Sequence, residues 1–199
     1  MNRLYILAEA VTDAGFAHLK GLVNVQDMSL GGTQIGDDSL ALLADWHTLD
    51  RIMLGPSRVT NAGMRHLTKP KRLRGVNVTG TAVGDAGLEI LKQVPNLQNL
   101  WLGRSKVTRA GVAKLHEIKG LREVYLEGLS LTDADVGPLA ACGKLVWLSL
   151  SDNPITDAGL KPLHGLKDLQ ILELRNCPRL TPAGIVALEK ALPRCKVER

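Results

Sequence analysis

A phrase of six residues recurs eight times along this 199-residue chain at a period of 24, and that period constrains the fold before any single residue does. Val11-Thr-Asp-Ala-Gly-Phe16 returns as Val59-Thr-Asn-Ala-Gly-Met64, Val83-Gly-Asp-Ala-Gly-Leu88 and Ile155-Thr-Asp-Ala-Gly-Leu160. Looser copies begin at Ile35, Val107, Leu131 and Leu180. No unit of this length buries an apolar face alone, so the copies must stack, each against its neighbours. Most positions are then structural, and function belongs where one repeat departs from the next.

The second half of each repeat reads Leu-x-x-apolar-x-Leu, as in Leu97, Leu100 and Leu102 or Leu145, Leu148 and Leu150. Its period-two alternation predicts a short strand with one buried face. Thr-Asp-Ala-Gly then offers a hydroxyl N-cap with a carboxylate in the first turn, where the helix dipole favours it. Apolar residues three apart, such as Leu88 and Leu91, follow as a short amphipathic turn. Pro138 and Pro162 interrupt two of these turns and predict 3₁₀ character there. Six columns per repeat are almost wholly aliphatic, Leu43, Leu67, Leu91 and Leu115 being four members of one. Each such side chain contributes roughly 1.5–3 kcal/mol on full burial, enough for a core without metal or disulfide.

These residues resemble the leucine-rich repeat family, whose pattern is L-x-x-L-x-L-x-x-N/C-x-L. Thr33, Ser57, Thr81, Ser105, Asn153 and Cys177 fill its Asn/Cys position, which bonds the turning backbone. Leu129 departs from the pattern, leaving Ser130 as the nearest hydroxyl for that turn. The Thr-Asp-Ala-Gly-Leu variant is similar to bacterial leucine-rich repeats and to the repeats of F-box adaptors. The resemblance implies an α/β leucine-rich-repeat solenoid, a right-handed horseshoe. Its concave parallel sheet has about nine short strands, and short α or 3₁₀ turns form the convex side. A single domain spanning 1–199 is expected: a partial repeat over 1–10, seven full repeats over 11–179, and a shortened one over 180–199. Met1-x-x-Leu4-x-Ile6 opens mid-repeat, the mark of a fragment or of an end covered by a partner, a second copy included. Leu192, Cys195 and Val197 are read as the closing strand pattern, ahead of its due place.

No run approaches 18 consecutive apolar residues, which excludes a membrane-spanning helix. The first ten residues lack a basic leader, and Cys142, Cys177 and Cys195 are odd in number and fall at core or turn positions. A cytoplasmic protein with reduced thiols is expected, with signal-less secretion the other route.

Strand alternation places two columns on the concave face. One reads Tyr5, Ser29, Met53, Asn77, Trp101, Tyr125, Ser149 and Glu173; the other reads Arg3, Asp27, Arg51, Gly75, Asn99, Glu123, Trp147 and Ile171. Only six residues are aromatic, yet Tyr5, Trp101, Tyr125 and Trp147 fall in these columns. Trp101, Tyr125 and Trp147 on consecutive strands, about 4.8 Å apart, are expected to form one exposed patch. Asn77, Asn99, Arg104, Glu123, Glu127, Glu173 and Arg175 supply its polar surround. Cross-strand aromatic pairs also stabilise sheets, the structural alternative to a binding role.

A second candidate is the basic edge formed by Arg65, Lys69, Lys71, Arg72 and Arg74, which with a net charge of +5 admits a polyanion or nucleic acid. Interspersed acids and the lack of interleaved aromatics make a solvated face the simpler reading, and nucleic acid an unlikely partner. The five histidines sit in separate repeats without a Cys or carboxylate at metal-ligand spacing. Neither a phosphate loop nor a nucleophile elbow is present, so no catalytic residue, metal or cofactor is assigned. The sequence therefore points to a non-enzymatic module that recognises a protein or peptide across Trp101, Tyr125 and Trp147. A polyanion binder through the 65–74 edge and an architectural fragment of a larger protein are the alternatives.

Overall fold

The computed structural model describes residues 2–6 and 8–199; Met1, first member of the opening strand pattern, lies outside them. The residues form two compact units, one ending at Val107 and one beginning at Thr108. The first carries five parallel strands in chain order: β1 (Arg3–Tyr5), β2 (Asp27–Ser29), β3 (Arg51–Met53), β4 (Gly75–Asn77) and β5 (Asn99–Trp101). The second carries β6 (Glu123–Tyr125), β7 (Trp147–Ser149), β8 (Ile171–Glu173) and β9 (Lys196–Glu198), also parallel and in order. Between strands the chain turns through helices: α1 (Asp13–Phe16), α2 (Asp37–Ala41) and α3 (Asp85–Leu91), then α4 (Arg109–Ala113), α5 (Asp133–Val136), α6 (Asp157–Leu160) and α7 (Pro182–Ala191). Most of these run on into 3₁₀ turns, and Pro138 and Pro162 each lie in one, Gly137–Ala141 and Lys161–Gly165. Both units are leucine-rich-repeat solenoids of the α/β class.

Strand register follows the 24-residue columns. Arg3, Asp27, Arg51, Gly75 and Asn99 stand opposite one another in succession, as do Tyr5, Ser29, Met53, Asn77 and Trp101. Within each strand the middle residue is the inward one: Met28, Ile52, Leu100, Val124, Leu148 and Leu172 are buried. Phe16 and Trp46 fill the core of the first unit with ring centroids 6.2 Å apart.

The closing strand departs from expectation. Val197, not Cys195, pairs with Leu172, because the last copy of the phrase begins 25 residues after its predecessor and the whole repeat carries that offset. Lys196 and Glu198 thereby take the two columns of the open face opposite Ile171 and Glu173.

The recurrent aspartates do more than complement a helix dipole. The Asp37 carboxylate accepts the Thr60 N–H at 2.8 Å and the Thr60 hydroxyl at 2.6 Å, one repeat ahead. Asp133 accepts the same two groups from Thr156, and Asp157 from Thr181. Asp13 accepts the N–H groups of Gly36 and Ser39 and the Ser39 hydroxyl, while Asn61 accepts those of Gly84 and Gly87. At these five junctions the bonds tie one repeat to the next, and they explain the glycine column. A Cβ at Gly159 would lie 2.5 Å from Asp133 Oδ1, and one at Gly87 2.7 Å from Asn61 Oδ1. Where Arg109 replaces the acid, the following repeat exchanges its glycine for Asp135, which takes the Thr132 N–H and hydroxyl at 2.8 Å each.

The turn at Leu129 is also held from one repeat ahead. Thr33 and Thr81 donate to the carbonyls of Leu30 and Val78 three residues earlier and accept the N–H two residues later. Leu129 can do neither. Asn153 of the next repeat instead donates to the Leu126 carbonyl and accepts the Leu131 N–H, both at 2.9 Å, while donating to its own turn at Leu150 and Ser151. Ser130 is exposed, in the left-handed region at φ +56°.

Candidate functional site

On the open face of the second unit, β6 and β7 bring Tyr125 and Trp147 together, with ring centroids 5.8 Å apart and planes tilted by 39°. The two rings sit in different columns, one strand apart, so the contact is diagonal; such neighbours lie within reach of aromatic side chains. The Tyr125 hydroxyl reaches Glu123 Oε2 at 3.5 Å. Burial, then the negative charges of Glu123 and Glu173, hold the phenol well above its ordinary pKa, so it stays a neutral donor across the physiological range. Glu127 is pushed up by burial and by Glu173 and Asp152, against the opposing bond from the Ser149 hydroxyl. Opposite Tyr125 on the neighbouring strand, Ser149 is buried and hydrogen-bonded to the buried Ser151 at 3.4 Å, and Ser151 Oγ accepts the Arg175 N–H at 3.1 Å.

The cations of this face are engaged with each other's partner. Arg175 Nη2 and Lys196 Nζ both reach the Glu198 carboxylate, at 2.6 and 2.7 Å, and the Lys196 contact leads in holding Glu198 below the usual carboxylate range. The repeat pattern alone does not mark Glu198 and Lys196 as site residues, because it sets the final strand two residues out of register; the extra residue at Pro178-Arg179 is the signal that corrects it.

In the first unit Met53, Asn77, Asn99 and Trp101 are half-buried on the open face, and Arg104 is exposed at φ +51°. Gly75 leaves room for Trp101: a Cβ there would stand 3.3 Å from the indole Cζ3 and closer still to the Arg51 side chain. Asn77 Oδ1 is committed to the Thr79 N–H at 2.8 Å. Tyr5 is the most exposed of these aromatics, at 58%. Around it Arg3, Asp27 and Arg51 form an ion-pair ladder across β1, β2 and β3.

The basic edge divides between two settings. Arg65 lies in the 3₁₀ turn Gly63–Thr68, its Nε 3.2 Å from His66 Nε2. Arg72 and Arg74 line a groove with Asp27, Asp50 and Arg51, where Asp50 pairs with Arg74 at 3.2 Å. Lys69 and Lys71 are exposed. All three cysteines are buried and unbridged, and burial pushes the Cys142 thiol up to about 11. Among the described residues no three His, Cys, Asp or Glu side chains converge as metal ligands, and no helix is long and apolar enough to cross a membrane.

The parallel strands and short helices define a leucine-rich-repeat fold, a class typically non-enzymatic and generally given to protein–protein recognition. A family model described as Leucine Rich repeat matches residues 144–163, the stretch from just before β7 to the turn after α6. A comparison with curated proteins finds no match.

Proposed function

We propose that this chain binds a protein or peptide across the open face of its second unit, with Tyr125 and Trp147 as the central contacts. The observation that carries the reading is the packed pair of aromatic rings, with Ile171 beside Trp147, on a face otherwise built of small and charged residues. Trp and Tyr are the side chains most often dominant in interfaces, because they bury a large rigid area at little conformational cost. Glu123, Glu127, Glu173 and Arg175 frame the pair as the polar rim does in an interface, setting orientation and excluding water. The first-unit residues Tyr5, Met53, Asn77, Asn99, Trp101 and Arg104 extend the candidate surface on their own unit's open face.

Rigidity supports the assignment. The bond between the buried Ser149 and Ser151 and the inter-repeat bonds of Asp133 and Asp157 hold the second unit's repeats together, so little ordering cost remains at docking. The test is a pull-down from the source cell with wild type and Tyr125→Ala/Trp147→Ala, both checked for native circular dichroism. Loss of two central rings is expected to weaken binding by several kcal/mol, which abolishes retention. A partner retained equally by both proteins refutes the reading.

A further inference from the structure

On another surface of the second unit, along the edge where the chain enters its strands, lies a groove of about 310 Å³. That volume is at the lower end of small-molecule sites, roughly 300–1,000 Å³. Arg122, Lys144, Lys167 and Arg194 line it, with Asp168 and Gln170. Among the described residues none of the four cations has a carboxylate partner; Lys167 Nζ reaches only the Ala191 carbonyl, at 3.3 Å. The equivalent groove of the first unit is built differently. There Arg51, Arg72 and Arg74 share the space with Asp27 and Asp50, which pair with Arg51 and Arg74 at 3.2–3.9 Å. One edge supplies its own counter-ions, and the other sets four cations against one acid.

We infer that the groove lined by Arg122, Lys144, Lys167 and Arg194 binds a small molecule carrying two phosphoryl groups joined by a hydroxyl-bearing carbon skeleton. The charge requires an anion of more than one unit, and two guanidinium forks match phosphoryl oxygens in bidentate geometry. Position separates the forks. Arg122 immediately precedes β6 and Arg194 lies just before β9, three strand steps or roughly 14 Å away at about 4.8 Å per step. Two phosphoryl groups divide that span, one at Arg122 with Lys144 and the other at Lys167 with Arg194. Asp168 accepts and Gln170 both donates and accepts, which suits hydroxyls on the connecting skeleton and disfavours a bare polyanion.

Titration calorimetry at constant ionic strength tests this with fructose 1,6-bisphosphate and inorganic phosphate as probes. The bisphosphate should bind on the order of tenfold or more tightly than phosphate, and Arg122→Gln or Arg194→Gln should each cost on the order of tenfold. Arg72→Gln, in the self-neutralised groove, should change nothing. Thermal unfolding of each variant confirms that it is folded. Equal affinity for the two probes, no heat with the bisphosphate at millimolar concentration, or binding indifferent to Arg122→Gln and Arg194→Gln overturns the site. A doubly phosphorylated peptide bound far more tightly than the sugar overturns the small-molecule assignment. The open-face double variant Tyr125→Ala/Trp147→Ala should bind the sugar normally, which separates this site from the recognition face.

Discussion

Asn153→Ala should be among the most destabilising polar substitutions in the chain. Asn153 is 1% exposed and bonds four backbone groups: it accepts the Leu131 N–H and donates to the carbonyls of Leu126, Leu150 and Ser151. Truncation orphans a buried N–H, which costs about 1–3 kcal/mol, and deprives three carbonyls of a partner at up to ~1 kcal/mol each. Partial relaxation of the turn brings the expected total to about 3 kcal/mol. Thr33→Val removes one hydroxyl from one turn and should cost about 1 kcal/mol. The reasoning makes a sharper claim about Leu129. Leu129→Thr restores to that turn the residue type used at Thr33 and Thr81, so it should recover about 1 kcal/mol in the Asn153→Ala background. In the wild type it should recover nothing, because Asn153 already serves the turn. Urea unfolding followed by circular dichroism measures the cycle, and hydrogen exchange at the Leu131 amide localises it. A cost below 1 kcal/mol for Asn153→Ala, or strict additivity with Leu129→Thr, refutes the assignment.

Gly159→Ala drives a methyl against Asp133 and should cost about 2 kcal/mol in denaturant unfolding, whereas Gly165→Ala, with open space around it, should stay within about 0.5 kcal/mol. Asp133 is held below the ordinary carboxylate range: burial opposes ionisation, but the Thr156 hydroxyl and N–H outweigh it. Its stabilisation is therefore complete above an unfolded pKa of about 3.9 and is lost as pH falls through the lower folded value. Asp13 and Asp157 act with the same sign, so unfolding free energy should fall steeply below about pH 4, and Asp133→Asn should flatten that slope in an acid titration. Cys142, with its thiol buried and raised to about 11, should resist a thiol reagent at pH 8 until urea unfolds the chain; rapid labelling of the native protein contradicts the burial.

Much of this architecture is legible in the sequence because a solenoid writes its register into its period. Leu100 opposes Val76 for the same reason that it lies 24 residues beyond it. The same logic failed at β9, where one inserted residue moves Val197 into the column claimed for Cys195. Asp37 and Asp133 were legible as helix-start acids, but their bonds to the following repeat share that sequence signature. The two accounts differ in sequence at the exchange of Arg109 and Asp135 and at Asn61, whose neutral amide keeps the inter-repeat bonds without the charge. Asn153 looked like an ordinary member of the Asn/Cys column, since its second set of bonds answers a defect 24 residues earlier, at Leu129. The pairing of Tyr125 with Trp147 followed from columns alone. The cationic groove did not, because Arg122, Lys144, Lys167 and Arg194 occupy different places in their repeats and meet only through side-chain reach.

Site-specific photo-crosslinking tests the recognition face most directly. A benzophenone amino acid is placed at Ile171, opposite Trp147 on the open face, and separately at Val186, 63% exposed on α7. Recognition across the open face predicts one discrete adduct from position 171 in the source cell, absent from position 186 and lost when Trp147→Ala is added. The same adduct from position 186, or one at 171 that survives Trp147→Ala, contradicts it.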